Sequence, residues 1–289
     1  MKIGVIGTTD GWSSEWLADT VADLTGQRLL IDMDRVTLDL ESGALRCGEI
    51  DLAGCDGLII KKIGHRYSPD LLDRLEMLRF IEAQGMPIFS SPLAIMRVLD
   101  RLSCTITLRS HNIPMPPTVI TESVDSALET VRRYGEAVFK PLYSSKARGM
   151  KVIADRPEAK EQIESYKAVN QVMYIQQKID LNGQDLGIAF LGGKYLTTYA
   201  RRNNGTSWNT TTASGGKYAP YSPSPEVIEL AERAQAPFGL DFTCVDVVES
   251  AAGPVVFEVS AFGGFRGIKA TSNIDPALQY ANYVLSRTT

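Results

Sequence analysis

An α/β fold is predicted by three features of this 289-residue chain. Short apolar runs alternate with amphipathic segments through the first ninety residues, which is typical of strands and helices built around a parallel sheet. Turn segments containing Gly and Pro, such as Gly85-Met86-Pro87, separate these runs. From Gly187 onward the pattern becomes mostly β. Together these features predict a parallel α/β domain at the N-terminus, followed by domains of mixed α and β structure.

The N-terminal domain is predicted to contain strands and helices in regular succession. Its predicted elements are the strand Lys2–Ile6, the helix Ser13–Leu24, the strands Arg28–Asp32, Val36–Leu40 and Gly57–Lys61, the helix Pro69–Gln84 and the strand Ile88–Phe89. The loop Gly7–Gly11 follows the first strand but lacks the G-x-G-x-x-G pattern, so nicotinamide or flavin binding is not favoured there.

A second α/β stretch begins with one long predicted helix. Ser91 is a natural N-cap and Pro92 suits the first turn, so this helix should run to Leu108. The later predicted elements are the strands Val119–Ile120, Ala137–Lys140, Met150–Ile153, Met173–Gln177 and Tyr195–Ala200 and the helices Val124–Tyr134, Glu158–Lys167 and Pro225–Gly239. We predict domains at residues 1–90, 91–175 and 176–289.

Charge and composition argue against several classes of function. The chain carries 30 Lys and Arg against 34 Asp and Glu, a net charge of −4, so binding of nucleic acid or an anionic membrane by bulk charge is not expected. No apolar run reaches the roughly 20 residues that span a bilayer, and the N-terminus does not resemble a signal peptide. Four scattered cysteines predict reduced thiols in a cytoplasmic protein, and two histidines leave few candidates for a zinc or Ser-His-Asp site.

The segment K-P-L-Y-S-S-K-A-R-G-M-K, residues 140–151, joins two predicted strands. Its small residues expose backbone N–H groups, while Lys140, Lys146 and Arg148 supply positive charge. Such a loop suits a polyphosphate lying between strands. A hairpin turn with solvated lysines is the alternative.

Two carboxylates are predicted to meet on a hairpin. Two β runs flank the turn Ser250–Pro254, which places Asp246 opposite Glu258, with Ser260 on the same face of its strand as Glu258. Carboxylates within roughly 5 Å of each other repel unless a cation lies between them, and oxygen ligands point to magnesium. A solvent-facing acidic pair is the alternative.

Two further segments concentrate cations and small residues. Arg201 and Arg202 follow a predicted strand and precede a long polar loop, and loops of that kind are usually functional, although a disordered surface loop is the alternative. Gly263-Gly264 allows a close approach of the backbone to a ligand, and Arg266 follows. Cationic loops beside a carboxylate pair predict a metal–nucleotide substrate.

The three clusters, in this order, resemble the ATP-grasp superfamily and, within it, the RimK-type ligases. The similarity runs from about Ser90 to Ile268 and implies the ATP-grasp fold, with ATP and Mg²⁺ as cofactors. V-F-K-P-L resembles the strand whose Lys reaches the phosphates, and the loop after it resembles the phosphate lid. Y-I-Q-Q-K-I-D resembles the strand whose backbone binds adenine, and Q-D-L the segment whose acid binds ribose. By resemblance the nucleotide contacts are Arg101, Lys140, Ser145, Lys146, Arg148, Gln177, Lys178, Ile179, Asp185 and Asn209.

The resemblance also assigns the catalytic and metal groups. Arg202 matches a catalytic arginine, and V-D-V-V with F-E-V-S matches the magnesium ligands Asp246, Glu258 and Ser260. Two positions depart from the family pattern. Asp100-Arg101 stands where the family usually has D-K, and Glu258-Val259-Ser260 stands where it has E-V-N, so the third metal ligand should be weaker or water-mediated.

The implied activity is ligation of a carboxylate to an amine through an acyl phosphate. Arg266 is the candidate for binding an amino-acid carboxylate through two hydrogen bonds, and Gly264 is expected to lie beside the substrate. The family implies glutamate as the amino acid and a small molecule or carrier protein as the acceptor, including pterin or furan one-carbon coenzymes. It also implies a homo-oligomer. The alternatives are a non-catalytic nucleotide-binding regulator and an enzyme that makes a phosphorylated product without ligation.

Overall fold

The computed structural model describes residues 1–205 and 207–288, which form an α/β structure around several sheets. The N-terminal elements are β1 (Ile3–Ile6), α1 (Trp12–Thr25), β2 (Leu30–Ile31), β3 (Val36–Asp39), β4 (Ala44–Cys47), β5 (Ile50–Asp51), β6 (Gly57–Ile60), α2 (Asp70–Glu82) and β7 (Ile88–Phe89). The parallel sheet predicted here is confirmed, with strand order β2-β1-β6-β7. Every residue of β1 and β6 is buried, as expected for parallel strands covered on both faces.

Placing Val36–Leu40 among the parallel strands was wrong. This segment, β3, pairs antiparallel with β4, and β4 pairs with β5, so the three form a separate sheet. The Asp39 carboxylate accepts hydrogen bonds from the Glu41 and Ser42 amides, and Gly43 adopts φ 71°, so the chain reverses tightly between β3 and β4.

The single helix predicted to run from Ser91 to Leu108 is two helices, α3 (Pro92–Leu99) and α4 (Arg101–Ser110). Asp100 between them is extended, with φ −82° and ψ 116°, and its Oδ1 accepts a hydrogen bond of 3.0 Å from the Leu102 amide. Asp100 therefore caps α4, and Arg101 becomes the first residue of that helix.

The central elements are β8 (Thr118–Thr121), α5 (Val124–Tyr134), β9 (Glu136–Lys140), β10 (Lys151–Ala154), α6 (Ala159–Lys167) and β11 (Met173–Gln177). They form an antiparallel sheet of order β10-β9-β11-β8. The predicted pairing of the strands on either side of residues 141–150 is confirmed, with Lys151 opposite Phe139. We call these ten residues the lid loop.

The C-terminal elements are β12 (Gln184–Leu191), β13 (Lys194–Arg202), β14 (Lys217–Pro220), α7 (Pro225–Gln235), β15 (Phe242–Ser250), β16 (Gly253–Ser260), α8 (Phe265–Thr271) and α9 (Pro276–Leu285). Their sheet has the order β14-β13-β12-β15-β16 and is antiparallel. The helices α8 and α9 were not predicted. The α9 helix packs on α1, so the end of the chain returns to the N-terminal domain.

Buried side chains from distant parts of the chain share the core. Ile3 and Leu17 lie in one cluster with Phe242, Tyr280 and Val284, whereas the central elements have their own cluster, which runs from Ala127 to Ile175. All four cysteines are free and buried. Within the described residues, no helix combines the length and apolar character needed to cross a membrane.

Candidate active site

A cavity of about 550 Å³ lies where the central sheet, the C-terminal sheet and the N-terminal domain meet. It is lined by the lid loop, by residues 176–179 at the end of β11, by β13, β15 and β16, and by loops that follow β1 and β6. Most of the residues predicted to bind ligands line it: Arg101, Lys140, Ser145, Lys146, Gln177, Lys178, Ile179, Asp185, Asn209, Asp246, Glu258, Ser260, Gly264 and Arg266.

The predicted opposition of two carboxylates on the β15–β16 hairpin is confirmed. Asp246 pairs directly with Glu258, and Ser260 lies two residues further along β16. A bulge follows this pair, because Val247 is opposite Val256 and leaves Phe257 outside the regular ladder. The Ser260 hydroxyl accepts a hydrogen bond of 3.3 Å from the Phe262 amide, so it is partly engaged at the start of the next loop.

Burial raises the pKa of Asp246 to about 7. Its Oδ2 lies 2.8 Å from Nη2 of Arg201, whose charge opposes that rise, while the charges of Asp185 and Glu258 add to it. The Asp246 carboxyl thus keeps its proton to a higher pH than usual even with Arg201 beside it. A further cation at this point would relieve the repulsion.

Of the two consecutive arginines on β13, Arg201 lines the cavity, and the structure does not bring Arg202, the residue predicted to be catalytic, to it. Arg201 binds both oxygens of Asp185 and also contacts Asp246. Arg202 is exposed, does not line the cavity, and donates a hydrogen bond of 3.2 Å from Nε to Gln184. Consecutive strand residues point to opposite faces, so only one of the two can reach the site.

The same contact changes the expectation for Asp185. This buried carboxylate was assigned to ribose by resemblance, but both of its oxygens accept from Arg201. Asp185, Arg201 and Asp246 therefore form a continuous charged row across the C-terminal sheet. In this structure Asp185 holds Arg201 beside Asp246.

Arg101 connects the second carboxylate with the lid loop. Its Nη1 lies 2.9 Å from Oε2 of Glu258, and its Nε donates to the Pro141 carbonyl at 3.1 Å. Its Nη2 donates to the Ser144 hydroxyl at 3.3 Å. The guanidinium is nearly buried, so its donors are directed at groups that border the cavity.

Lys140 ends β9 beneath the lid loop. Its Nζ donates a hydrogen bond of 2.5 Å to Oε1 of Gln176 and lies 4.9 Å from the centre of the Phe257 ring. Burial and, to a smaller extent, the charge of Arg101 lower the pKa of Lys140 to about 7, although the charges of Glu258 and Asp246 oppose the shift. An anion beside this ammonium would favour its charged form.

The lid loop brings one of its two cations to the cavity. Ser145 and Lys146 line the cavity, but Arg148 does not, contrary to the expectation. Arg148 folds back on its own loop, donating to the Ser145 hydroxyl at 2.8 Å and to the Ser145 carbonyl at 3.2 Å.

The three residues predicted to bind adenine line one end of the cavity together with Leu99 and Val138. The amides of Gln177 and Lys178 already donate to the Pro117 and Glu136 carbonyls, at 2.8 and 3.1 Å. Within residues 1–205 and 207–288, the Ile179 amide has no acceptor. Ile179 is therefore the residue of the three best able to donate to a base.

The polar loop and the glycine loop complete the walls. Asn209 lines the cavity, and its Oδ1 accepts from the amide and hydroxyl of Thr211 at 3.1 and 2.8 Å. Arg266 also lines the cavity, with its guanidinium 4.8 Å from the centre of a Trp12 ring. Gly264 has φ 94° and precedes α8, which is a conformation that favours glycine.

Sequence reasoning missed the N-terminal wall of the cavity. Thr8, Asp10 and Trp12 after β1, and Lys62 and Tyr67 after β6, all line it. The signal was present, because ligands of open α/β sheets bind beyond the carboxyl ends of parallel strands, and Lys61-Lys62 directly follows the apolar run of β6.

Curated proteins and a family model match this chain over most of its length. The model of the RimK-like ATP-grasp domain matches residues 98–284. A tetrahydromethanopterin:alpha-L-glutamate ligase of Methanosarcina acetivorans is 25% identical over 322 residues, covering 98% of this chain and 99% of that protein. A probable alpha-L-glutamate ligase of Maridesulfovibrio salexigens is 28% identical over 211 residues, covering 72% of this chain and 70% of that protein.

Solved structures share the fold at low identity. The ATP-grasp ligase PsnB, in a complex with a precursor variant, Mg and ADP, has a TM-score of 0.77 at 16% identity and covers 99% of this chain and 98% of its own. A RimK domain ATP-grasp protein from Sphaerobacter thermophilus has a TM-score of 0.75 at 18% identity and covers 98% and 99%. The predicted ATP-grasp fold is confirmed, and the chain belongs to the RimK-like ATP-grasp domain family of ADP-forming carbon–nitrogen ligases.

Proposed function

We propose that the protein uses MgATP to activate a substrate carboxylate as an acyl phosphate and then joins it to the amino group of glutamate. The observation that carries this proposal is the pair Asp246 and Glu258, which face each other in a cavity that also contains Lys140, Arg101 and Arg201. Relatives named as glutamate ligases support glutamate as the amine substrate.

The residues at the hairpin fit a magnesium ion. Two carboxylates and a hydroxyl supply only oxygen ligands, and the raised pKa of Asp246 means that the site favours added positive charge. Asp246, Glu258 and Ser260 would hold the ion. Bound there, Mg²⁺ would neutralise phosphate charge and orient the phosphoryl group for transfer.

The chain's own cations would then hold the phosphates and the reacting groups. Lys140 would bind phosphate oxygens from below and Lys146 from the lid loop, and Arg101 would contribute as it already borders both Glu258 and the lid loop. Arg201 would stabilise the charge that develops on the transferred group, because it lies at Asp246 with its orientation fixed by Asp185. Ile179, with Leu99 and Val138, would hold the base.

The glycine loop would hold the amine substrate. Arg266 presents a planar fork that suits bidentate binding of the α-carboxylate of glutamate. Gly264 would let the substrate approach the backbone closely. The acceptor is proposed to be a small acid of the pterin coenzyme type, as named for one relative, or a carrier protein. Buried free cysteines support a reducing, cytoplasmic setting.

The test is ADP release with ATP, Mg²⁺, glutamate and a panel of acids that includes tetrahydromethanopterin and simpler pterin and furan acids. We expect ADP release to require both an acid and glutamate and to yield an amide detectable by mass spectrometry. ADP release that needs the acid but not the amine would indicate a phosphorylated product without ligation. MgATP binding without turnover on any acid would favour a nucleotide-binding regulator.

A further inference from the structure

Lys62 is a cavity-lining cation for which the part of the chain described here provides no carboxylate partner. Its side chain is half-buried, and its Nζ lies 5.4 Å from the centre of the Phe262 ring. Two arginines of the same cavity are neutralised locally, since Arg201 binds Asp185 and Asp246 while Arg101 binds Glu258. An unpaired cation removed from water is costly, so this position favours an anionic ligand.

The fold fixes Lys62 through its neighbour. The amides of Lys61 and Lys62 both donate to the Ile6 carbonyl, at 2.9 and 3.1 Å, which pins the chain where β6 leaves the sheet. The Lys61 side chain is buried, donates from Nζ to the Phe262 carbonyl at 3.3 Å, and lies 3.7 Å from the centre of the Phe265 ring. Lys61 thus fastens the Phe262–Phe265 segment to the N-terminal domain, and Lys62 stands beside that segment at the cavity.

Aromatic rings border the same position. Tyr67 packs edge-on against Phe262, with ring centres 6.3 Å apart, and both rings line the cavity. Trp12 also lines the cavity, and the Arg266 guanidinium lies over its ring. A ligand bound at Lys62 would therefore meet an ammonium group next to flat apolar surfaces.

Lys62 and the lid loop line the same cavity, to which the loop brings Ser145 and Lys146. Burial, with smaller contributions from the charges of Lys146 and Arg148, lowers the pKa of Lys62 to about 8. The lid loop and the N-terminal wall therefore each bring a cation to the cavity. An activated carboxylate must lie close to the phosphoryl group that it receives, and that group is expected under the lid loop.

We propose that Lys62 binds an anionic group of the acid substrate, and that the adjoining Tyr67 and Phe262 rings select acids whose anionic group is attached to an aromatic or other apolar body. This inference rests on the proposed ligase function and adds to it a binding site for the acid. The α-carboxylate of glutamate is assigned instead to Arg266, whose guanidinium lies over the Trp12 ring.

The kinetic test compares Lys62→Met, Lys62→Arg and Arg66→Met with the unmodified protein. Arg66 is exposed, lies on the same loop and does not line the cavity, so it controls for loss of a positive charge nearby. With an acid that supports turnover, Lys62→Met should raise KM for that acid at least about tenfold. KM for glutamate and the calorimetric affinity for MgADP should change less than about twofold, and Lys62→Arg should recover most of the loss.

Several results would overturn the proposal. If Lys62→Met left KM for the acid unchanged, Lys62 would not bind the acid and the proposal would be wrong. An equal loss of MgADP affinity would make Lys62 a nucleotide-phosphate contact, and a rise in KM confined to glutamate would make it an amine-substrate contact. Failure of the proposed function is distinguishable, because the unmodified protein would then release no ADP in response to any acid with glutamate.

The site can also be tested without turnover, by mapping lysine acetylation with mass spectrometry at about pH 8. The pKa of Lys62, lowered to about 8, leaves much of this side chain in the reactive neutral form at that pH, and the exposed Lys160 on α6 serves as the control. We expect pterin or furan acids from the panel to slow acetylation of Lys62 but not of Lys160, in the absence of nucleotide. If MgADP slowed acetylation of Lys62 but none of the acids did, the result would contradict the proposal.

Discussion

Arg201 and Arg202 are consecutive on β13 but lie in different surroundings, which makes them a matched pair. Arg201 is held between Asp185 and Asp246, and Arg202 is exposed beside Gln184. We expect Arg201→Met to lower acid- and glutamate-dependent ADP release by about two to three orders of magnitude, as for loss of one preorganised donor. Arg202→Met should leave the rate nearly unchanged.

Thermal unfolding of both variants separates a catalytic effect from a structural one. Removal of Arg201 leaves the buried Asp185 and the half-buried Asp246 without this partner, so some loss of stability is expected. Arg201→Lys restores the charge but not the planar fork, and should recover only part of the rate. A large loss of rate in Arg202→Met, with Arg201→Met active, would reverse the assignment.

The pKa of Lys140, lowered to about 7, predicts a pH dependence of nucleotide binding. In the free protein the ammonium loses its proton as pH rises through about 7, while phosphate binding requires the charged form. Nucleotide affinity should therefore fall above this pH, by up to about tenfold per pH unit. Since the folded pKa lies below that of the unfolded chain, burial of charged Lys140 also costs stability below pH 7, and this cost fades as pH rises.

Calorimetric binding of ADP to the unmodified protein and to Lys140→Met, between about pH 6.5 and 9, measures this effect. The nucleotide's own titration is common to both proteins and cancels in the comparison. Lys140→Met should bind more weakly at the lower pH, and the difference should shrink as pH rises. A constant difference across the range would mean that Lys140 does not titrate there.

At the residue scale, the sequence predicted the groups whose positions depend on a local pattern. The opposition of Asp246 and Glu258 follows from the turn between their strands and was predictable. The choice between Arg201 and Arg202 could not be predicted, because a shift of one residue in a strand exchanges the two faces of the sheet. Lys62 was missed because its neighbours in the cavity come from distant parts of the chain, such as Phe262.

At the scale of elements, the β15–β16 hairpin should behave as a metal-binding unit. Glu258→Gln removes one of two opposed charges with little change in volume, and it should abolish Mg²⁺-dependent ADP release while the fold remains. Asp246→Asn should act in the same direction but less severely. Because burial opposes the charged form of Asp246, its replacement by a neutral side chain should cost little stability.

The measurement is ADP release by both variants and the unmodified protein across a Mg²⁺ titration. The thermal midpoint of unfolding of each protein is measured alongside. Near-normal amide formation by Glu258→Gln at saturating Mg²⁺ would show that the hairpin is not the metal site. A large drop in the thermal midpoint would instead indicate that the Arg101–Glu258 contact supports the fold.

The helices and strands that could be predicted from the sequence are those marked by local signals. Strands and helices bounded by Gly, Pro or a cap were predicted within a few residues, as for α5 and β11. The division between α3 and α4 was missed because Asp100 is compatible with a helix interior and ends α3 only through its capping bond to Leu102. The β4 and β5 strands are short and rely on pairing with β3 and with each other, which local patterns do not reveal.

At the scale of the whole molecule, the N-terminal and C-terminal parts share hydrophobic clusters, whereas the central part has its own. Leu17 on α1 packs in the same cluster as Val284 on α9, and Ile6 shares another cluster with Val245 of β15. The domains predicted at residues 1–90 and 176–289 are therefore joined through their cores. Sequence reasoning treated them as separate because it did not include α9, whose burial depends on contact with α1.

This arrangement predicts two units that open independently, tested by Leu17→Ala and Ile163→Ala. Both side chains are fully buried, and each change should cost about 2–5 kcal/mol in the unit that contains it. In native-state hydrogen exchange, Leu17→Ala should lower the protection of β1 and β15 amides together and leave β9 and β11 nearly unchanged. Ile163→Ala should do the reverse, because Ile163 packs with Phe139 and Ile175 in the central cluster.

The active-site cavity lies between these two units, so its ligands should couple them. MgADP contacts are proposed on both sides, at Lys140 and Ile179 of the central part and at Asp246 and Glu258 of the C-terminal sheet. A ligand that binds only when both units are folded stabilises each of them, and saturating MgADP should therefore raise protection of β9 and β15 amides together. In Ile163→Ala the ligand should restore part of the lost protection of β9. Protection confined to one unit would mean that the nucleotide does not bridge the cavity.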